Sequence, residues 1–190
     1  MASSASPWTW PGALSALVLF ACCVAPQDPF LVRAQQAAAD VAPRVHAILG
    51  VGPFSCEITI TDEQLPGSMV AATSIDRCLV TFGRAIEPHP EEALYYFAAH
   101  ELAHVHMRGY WETLPNWLEE GVAEVVALEV VPTAREDAES QMRVCEGRYE
   151  AYLFARAAGV DAVHQLAVRA HADGLAEIPE AWLAGLGALP

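Results

Sequence analysis

Lysine is absent from this 190-residue chain, and its ten basic residues are all arginines, set singly against 24 acidic residues for a net charge of −14. So little positive charge argues against a nucleic-acid partner, because phosphate backbones need a basic footprint, and the same negative charge repels anionic lipid surfaces. Internal repeats and low-complexity tracts are also missing. With 54 % hydrophobic residues and only 18 % charged ones, the chain is not a disordered tail, and its length suits one domain.

Residues 1–27 carry no Asp, Glu or Arg, so all of the charge belongs to residues 28–190. Within the first segment the apolar run Ala13 to Ala25 has the length of a signal-peptide core and falls short of the ~20 residues that span a bilayer. Export is therefore expected, with residues 1–27 as a signal peptide or lipoprotein leader. Leu19-Phe20-Ala21-Cys22 resembles a lipoprotein processing box, which makes Cys22 the one possible lipid anchor and the only expected membrane contact. Of the other cysteines, no two of Cys56, Cys78 and Cys145 have ligand-like spacing, which argues against a cysteine zinc site. In an oxidising compartment Cys56 and Cys78, both on strand-like segments, can pair and leave Cys145 as a buried thiol.

Hydrophobic periodicity predicts a helix over Pro29–Leu49, stopped by Gly50. Alternating β-branched residues predict a strand over Phe54–Thr61, and two more short strands follow over Met69–Ser74 and Cys78–Phe82. Helices come next: from Pro90 to Gly109, then Leu114–Val130, Arg135–Ala158, Val160–Ala172 and Pro179–Leu186. The expected fold class is α+β, a small mixed sheet followed by a helical bundle in a single domain over residues 28–190.

The chemistry lies on the first helix after the sheet, in His100-Glu101-Leu102-Ala103-His104. Positions i and i+4 put both imidazoles on one helix face about 6 Å apart along the axis, a separation from which both reach one zinc ion. Glu101, about 100° further round, is placed to take a proton from a metal-activated water without being a ligand. With seven His and seventeen Glu in the chain, chance supplies about 0.02 such segments. His106 faces away, about 200° from His104. A third ligand is available in Trp117-Leu118-Glu119-Glu120-Gly121-Val122-Ala123-Glu124, where Glu120 and Glu124 are one turn apart and apolar neighbours imply that at least one carboxylate is buried and partnered. One can bind metal while the other holds an imidazole. Trp111, Trp117 and Trp182 read as core or helix-docking anchors.

These two blocks resemble the gluzincins, the zinc-peptidase clan that includes thermolysin and the aminopeptidase N group, and in particular its short bacterial peptidase-MA-like members. The resemblance implies a zincin-like fold, one zinc ion on His100, His104 and Glu120, Glu101 as general base, and Glu124 as the acidic partner of the first histidine. It implies a peptide or protein substrate that pairs with the strand just before the active helix, Cys78–Phe82, as an exposed edge. It also implies a Tyr or His donor to the developing oxyanion downstream of Glu124. Tyr149 and Tyr152, three positions apart on one helix face, are the candidates, with His164 and His171 next in line. A zinc-stabilised exported binding module, or an inactive relative, would share the ligands and lack turnover.

Overall fold

The computed structural model describes residues 28–50, 57–62, 65–66, 69–107 and 110–187. The expected leader over residues 1–27, with Cys22, lies outside the described residues, as does Cys56. The first helix, α1, runs Pro29–Leu49. Asp28 starts it by accepting the Phe30 N–H at 2.8 Å, and Gly50 ends it in a left-handed conformation at φ 63°. Its buried stripe includes Phe30, Val41, Val45 and Leu49.

Three short strands follow: β1 Thr59–Thr61, β2 Ala71–Ser74 and β3 Leu79–Phe82. Only the end of the long first strand expected from the sequence is extended; Glu57 and Ile58 are not in strand, and residues 54–56 lie outside the described residues. The sheet order is β1-β3-β2, with β1 parallel and β2 antiparallel to β3. This corrects the expectation for Cys78–Phe82: β3 is the central strand, paired on both sides, and its buried Val80 and Phe82 anchor the sheet. Strands β1 and β2 form the edges. Cys78, which precedes β3, is disulfide-bonded.

The remaining helices are α2 Glu91–His106, α3 Asn116–Val130, α4 Arg135–Met142, α5 Arg148–Ala158, α6 Val160–Ala172 and α7 Glu180–Gly187. Among the described residues the architecture thus mixes a three-stranded sheet with seven α-helices, in keeping with the expected α+β class. No described helix is long and apolar enough to cross a membrane. Helix α2 packs between α1 and α3 and is buried along almost its whole second half. Arg44 of α1 donates to the carbonyls of Glu129 and Val130 at 2.8 and 2.5 Å, satisfying acceptors that the end of α3 leaves open.

The expected single helix over Arg135–Ala158 is two helices. Its periodicity continues across Arg143–Gly147, but Gly147 adopts φ 76°, which only glycine does without strain, and the chain turns before α5 begins. The break returns α5 across α3. At the crossing, a Cβ on Gly121 would lie 2.4 Å from the Ala151 carbonyl oxygen, so the two helices touch backbone to backbone. Cys145, expected as a buried thiol, is exposed and free in this turn.

Candidate metal centre

Helices α2 and α3 meet with His100 and His104 on one and Glu120 on the other, and their three ligand atoms all lie within 4.8 Å of one another. The two histidine Nε2 atoms are 3.2 Å apart. Glu120 offers one oxygen at 3.5 Å from His100 Nε2 and the other at 3.5 Å from His104 Nε2. An ion bound tetrahedrally at about 2.0–2.1 Å separates its ligand atoms by about 3.3–3.4 Å. The two nitrogens already stand close to that separation and the Glu120 carboxylate straddles them, one oxygen towards each, so the group can hold a metal ion.

The outer partners favour the same protonation pattern. His104 Nδ1 lies 2.8 Å from Glu119 Oε1. An ionised carboxylate only accepts, so the imidazole proton sits on Nδ1 and the Nε2 lone pair faces the centre. His100 Nδ1 lies 3.7 Å from Glu124 Oε1, beyond hydrogen-bond range but close enough for the carboxylate charge to act on the ring. Two nitrogen lone pairs 3.2 Å apart repel unless a cation or a proton stands between them. Burial disfavours a charge on His100, yet Glu124, Glu120 and Glu101 outweigh it and hold its pKa above the usual value. The nearby His100 imidazole is the main reason that Glu120 is drawn down to about 2, against the opposing effect of its partial burial. Metal and proton compete for the same lone pairs here.

Glu124 is 1 % exposed, and a carboxylate so buried needs compensation. Arg148, the first residue of α5, supplies it with Nε at 2.7 Å and Nη2 at 2.5 Å from Glu124 Oε1. The phenol of Tyr96 also donates to Glu124; burial and then the Glu124 charge raise the Tyr96 pKa, which keeps that proton in place. Arg148 Nη2 is also 3.7 Å from Glu120 Oε2, so the guanidinium sits beside the ligand carboxylate.

Glu101 stands beside the centre without belonging to it. The Thr73 hydroxyl lies 2.7 Å from Glu101 Oε2 and 3.1 Å from the Glu101 carbonyl oxygen, and its single proton holds the side chain from β2. Thr73, His100, Glu101, His104, Glu119, Glu120 and Arg148 open onto one cleft of about 1070 Å³. Its sheet side carries Ala71, Ala72 and Thr73 of β2; its far side carries Glu119, Gln141, Cys145 and Arg148.

The structure thus brings together His100, Glu101, His104, Glu120 and Glu124. It does not bring Tyr149 or Tyr152 to the cleft. The Tyr149 hydroxyl accepts from Arg143 at 2.9 Å, and the buried Tyr152 hydroxyl is held by Arg135, Glu139 and Arg156. The turn at Gly147 rotates α5 so that Arg148, not the tyrosines, faces the ligands. His164 stacks on Trp111 at 4.9 Å and His171 is exposed, so neither replaces them. His106 packs on the opposite face of α2 against His46 at 4.0 Å, and burial followed by His46 lowers its pKa to about 3.

Three participants, Arg148, Thr73 and Tyr96, were missed in the sequence, whereas Glu119, a substitute third ligand by its position beside Glu120, lies on His104 instead. Arg148 carried a signal, since a cation in the first turn of a helix opposes the macrodipole and implies an acidic partner elsewhere. Nothing local marked Thr73. No protein-family model, curated protein or solved structure matches the chain.

Proposed function

We propose that this chain is a zinc-dependent peptidase of the gluzincin type, on a zincin-like fold, with His100, His104 and Glu120 holding the ion. The observation that carries the reading is the convergence of two imidazole nitrogens and one carboxylate within 4.8 Å of one another, beside a second carboxylate, Glu101, that stands outside the group. Zinc in this position supplies Lewis acidity to a scissile carbonyl and lowers the pKa of a water towards neutrality. Glu101 takes the proton from that water and delivers it to the leaving amine, with Thr73 fixing the carboxylate in one orientation. Arg148, immobilised on Glu124 and permanently charged, donates to the carbonyl oxygen as negative charge develops there.

An extended peptide reaches this machinery along β2, the edge strand that lines the cleft, and its main chain pairs with Ala71–Ser74. That pairing sets the scissile bond against Glu101, because Thr73 belongs to the strand and touches the base. Export is part of the proposal: the disulfide at Cys78 favours an oxidising compartment.

The test is metal analysis and turnover on Glu101→Gln. Zinc stays stoichiometric while hydrolysis of casein or a peptide library falls by on the order of 10²–10⁴. Undiminished turnover removes Glu101 as the base. A wild-type protein with stoichiometric zinc and no turnover on any peptide is instead a zinc-stabilised binding module.

A further inference from the structure

A second cavity of about 520 Å³ opens on the other side of the start of α3. Its walls are Pro115 and Trp117 on one side and Phe154 of α5 on the other, over Ile178, Pro179 and Leu183. Trp117 packs edge-on to Phe154 at 5.4 Å and yet is 45 % exposed, in contrast to the buried Trp111. Of the two roles expected from the sequence, Trp117 is thus no core residue but does dock α3 against α5. Two exposed carboxylates, Glu177 and Glu180, stand at the rim, and among the described residues no basic side chain lines the groove.

The groove lies across the start of α3 from the metal cleft: Asn116 lines the cleft, while its two chain neighbours, Pro115 and Trp117, line the groove. A space of this size holds the bulk of a small-molecule ligand, roughly two peptide residues, and is too small for a helix. Its aromatic and proline walls suit an apolar side chain, and its rim suits a cation.

We propose that this groove is an exosite for the polypeptide substrate, which docks an extended segment carrying a large apolar residue followed by Arg or Lys. The inference rests on the reading of the cleft as a polypeptide site. Trp117 and Phe154 grip the apolar side chain, and Glu177 and Glu180 hold the cation. The net charge of −14 draws basic segments to the surface, and the groove selects among them.

The experiment uses the full chain loaded with zinc and three acetylated, amidated hexapeptides: Gly-Pro-Phe-Arg-Gly-Gly, the same peptide with Glu for Arg, and the same peptide with Ser for Phe. Binding is read by calorimetry and by Trp117 fluorescence, with Trp117→Phe identifying the reporting residue. The Phe-Arg peptide binds at least tenfold more tightly than either control, and Glu177→Gln with Glu180→Gln reduces that affinity at least tenfold at unchanged zinc content. Equal affinity for the three peptides, or no effect of the double variant, overturns the proposal. Removing residues 188–190 leaves affinity as it is; a tenfold gain shows the chain's own end covering the groove and overturns it too. A dimer in sedimentation that dissociates in Trp117→Ala assigns the groove to a second copy and also overturns it. The same peptides are measured on Glu101→Gln, so a catalytically silent protein that still binds the Phe-Arg peptide leaves the groove standing while the peptidase reading falls.

Discussion

Replacing Gly121 with alanine tests whether the helix crossing beside the metal ligand is as tight as its geometry requires. A Cβ there meets the carbonyl oxygen and carbon of Ala151 at 2.4 and 2.7 Å. Both obstructing atoms belong to the main chain of α5, so no rotamer change relieves the clash, and α5 has to withdraw by about 1 Å. Overpacking of this kind costs ~1–3 kcal/mol, and the upper half of that range applies where the obstacle is helix backbone. Alanine recovers about 1 kcal/mol through its higher helix propensity. The net loss is about 1–2 kcal/mol, which lowers Tm by roughly 2–8 °C for a domain of this size. Withdrawal of α5 also carries Arg148 away from Glu124, now joined at 2.7 Å, and leaves a buried carboxylate without its main cation. The assay is thermal unfolding of Gly121→Ala in chelator, where metal binding does not contribute. Ala151→Gly does not rescue it, because the clash is not with the Ala151 side chain. A Gly121→Ala protein that melts at or above the wild-type temperature, as helix propensity alone dictates, refutes the reasoning.

Three further outcomes follow from the site and its surroundings. Glu119→Gln removes the charge that fixes His104 and weakens metal affinity by about 10–100-fold in chelator competition; unchanged affinity removes Glu119 from the centre. Arg148→Gln lowers kcat near 10²-fold with KM almost unchanged, and Arg148→Lys does not restore it because one ammonium cannot reproduce the two contacts to Glu124; a wild-type kcat in either variant ends the role of Arg148. Burial holds the pKa of His164 below its usual value despite the nearby Asp161. The folded state thus resists a proton that the unfolded chain takes up near 6.5, so the His164 contribution is fully present above about pH 6.5 and is lost as pH falls below it. His164→Gln flattens that part of a stability–pH curve measured in urea, and an unaltered slope refutes the assignment.

What could be read in the sequence was local. The stripe and caps of α1 lie within its own residues, and its bounds were legible to the residue; the i, i+4 histidines of α2 and the carboxylates of α3 were legible for the same reason. Strand order was not legible, because the pairing of β1 with β3 across nearly twenty intervening residues leaves no mark on either strand. The same applies to the residue proposed as oxyanion donor, Arg148. Tyr149 and Tyr152 were reasonable while Arg135–Ala158 was one helix, and the left-handed Gly147 turned a different residue to the cleft. Gly147 was visible as a glycine, but a single glycine inside a helical pattern is tolerated too often to mark a break. Thr73 reached Glu101 only through the packing of β2 on α2.

The recessed position of β2 also bears on self-association. An edge strand with open backbone groups is a template on which copies of a protein stack into aggregates, and proteins commonly blunt such edges with charge, proline or a bulge. Ala71-Ala72-Thr73-Ser74 carries none of these. Protection here comes from depth: the strand is four residues long and sunk between α2 and the wall formed by Glu119 and Arg148. A single extended chain can slide into that recess, whereas a neighbouring molecule's sheet, with its own helices attached, cannot follow. An edge this short and deep is open to a lone extended chain and shielded from the sheet of another folded copy, which is the form the proposed peptide pairing needs.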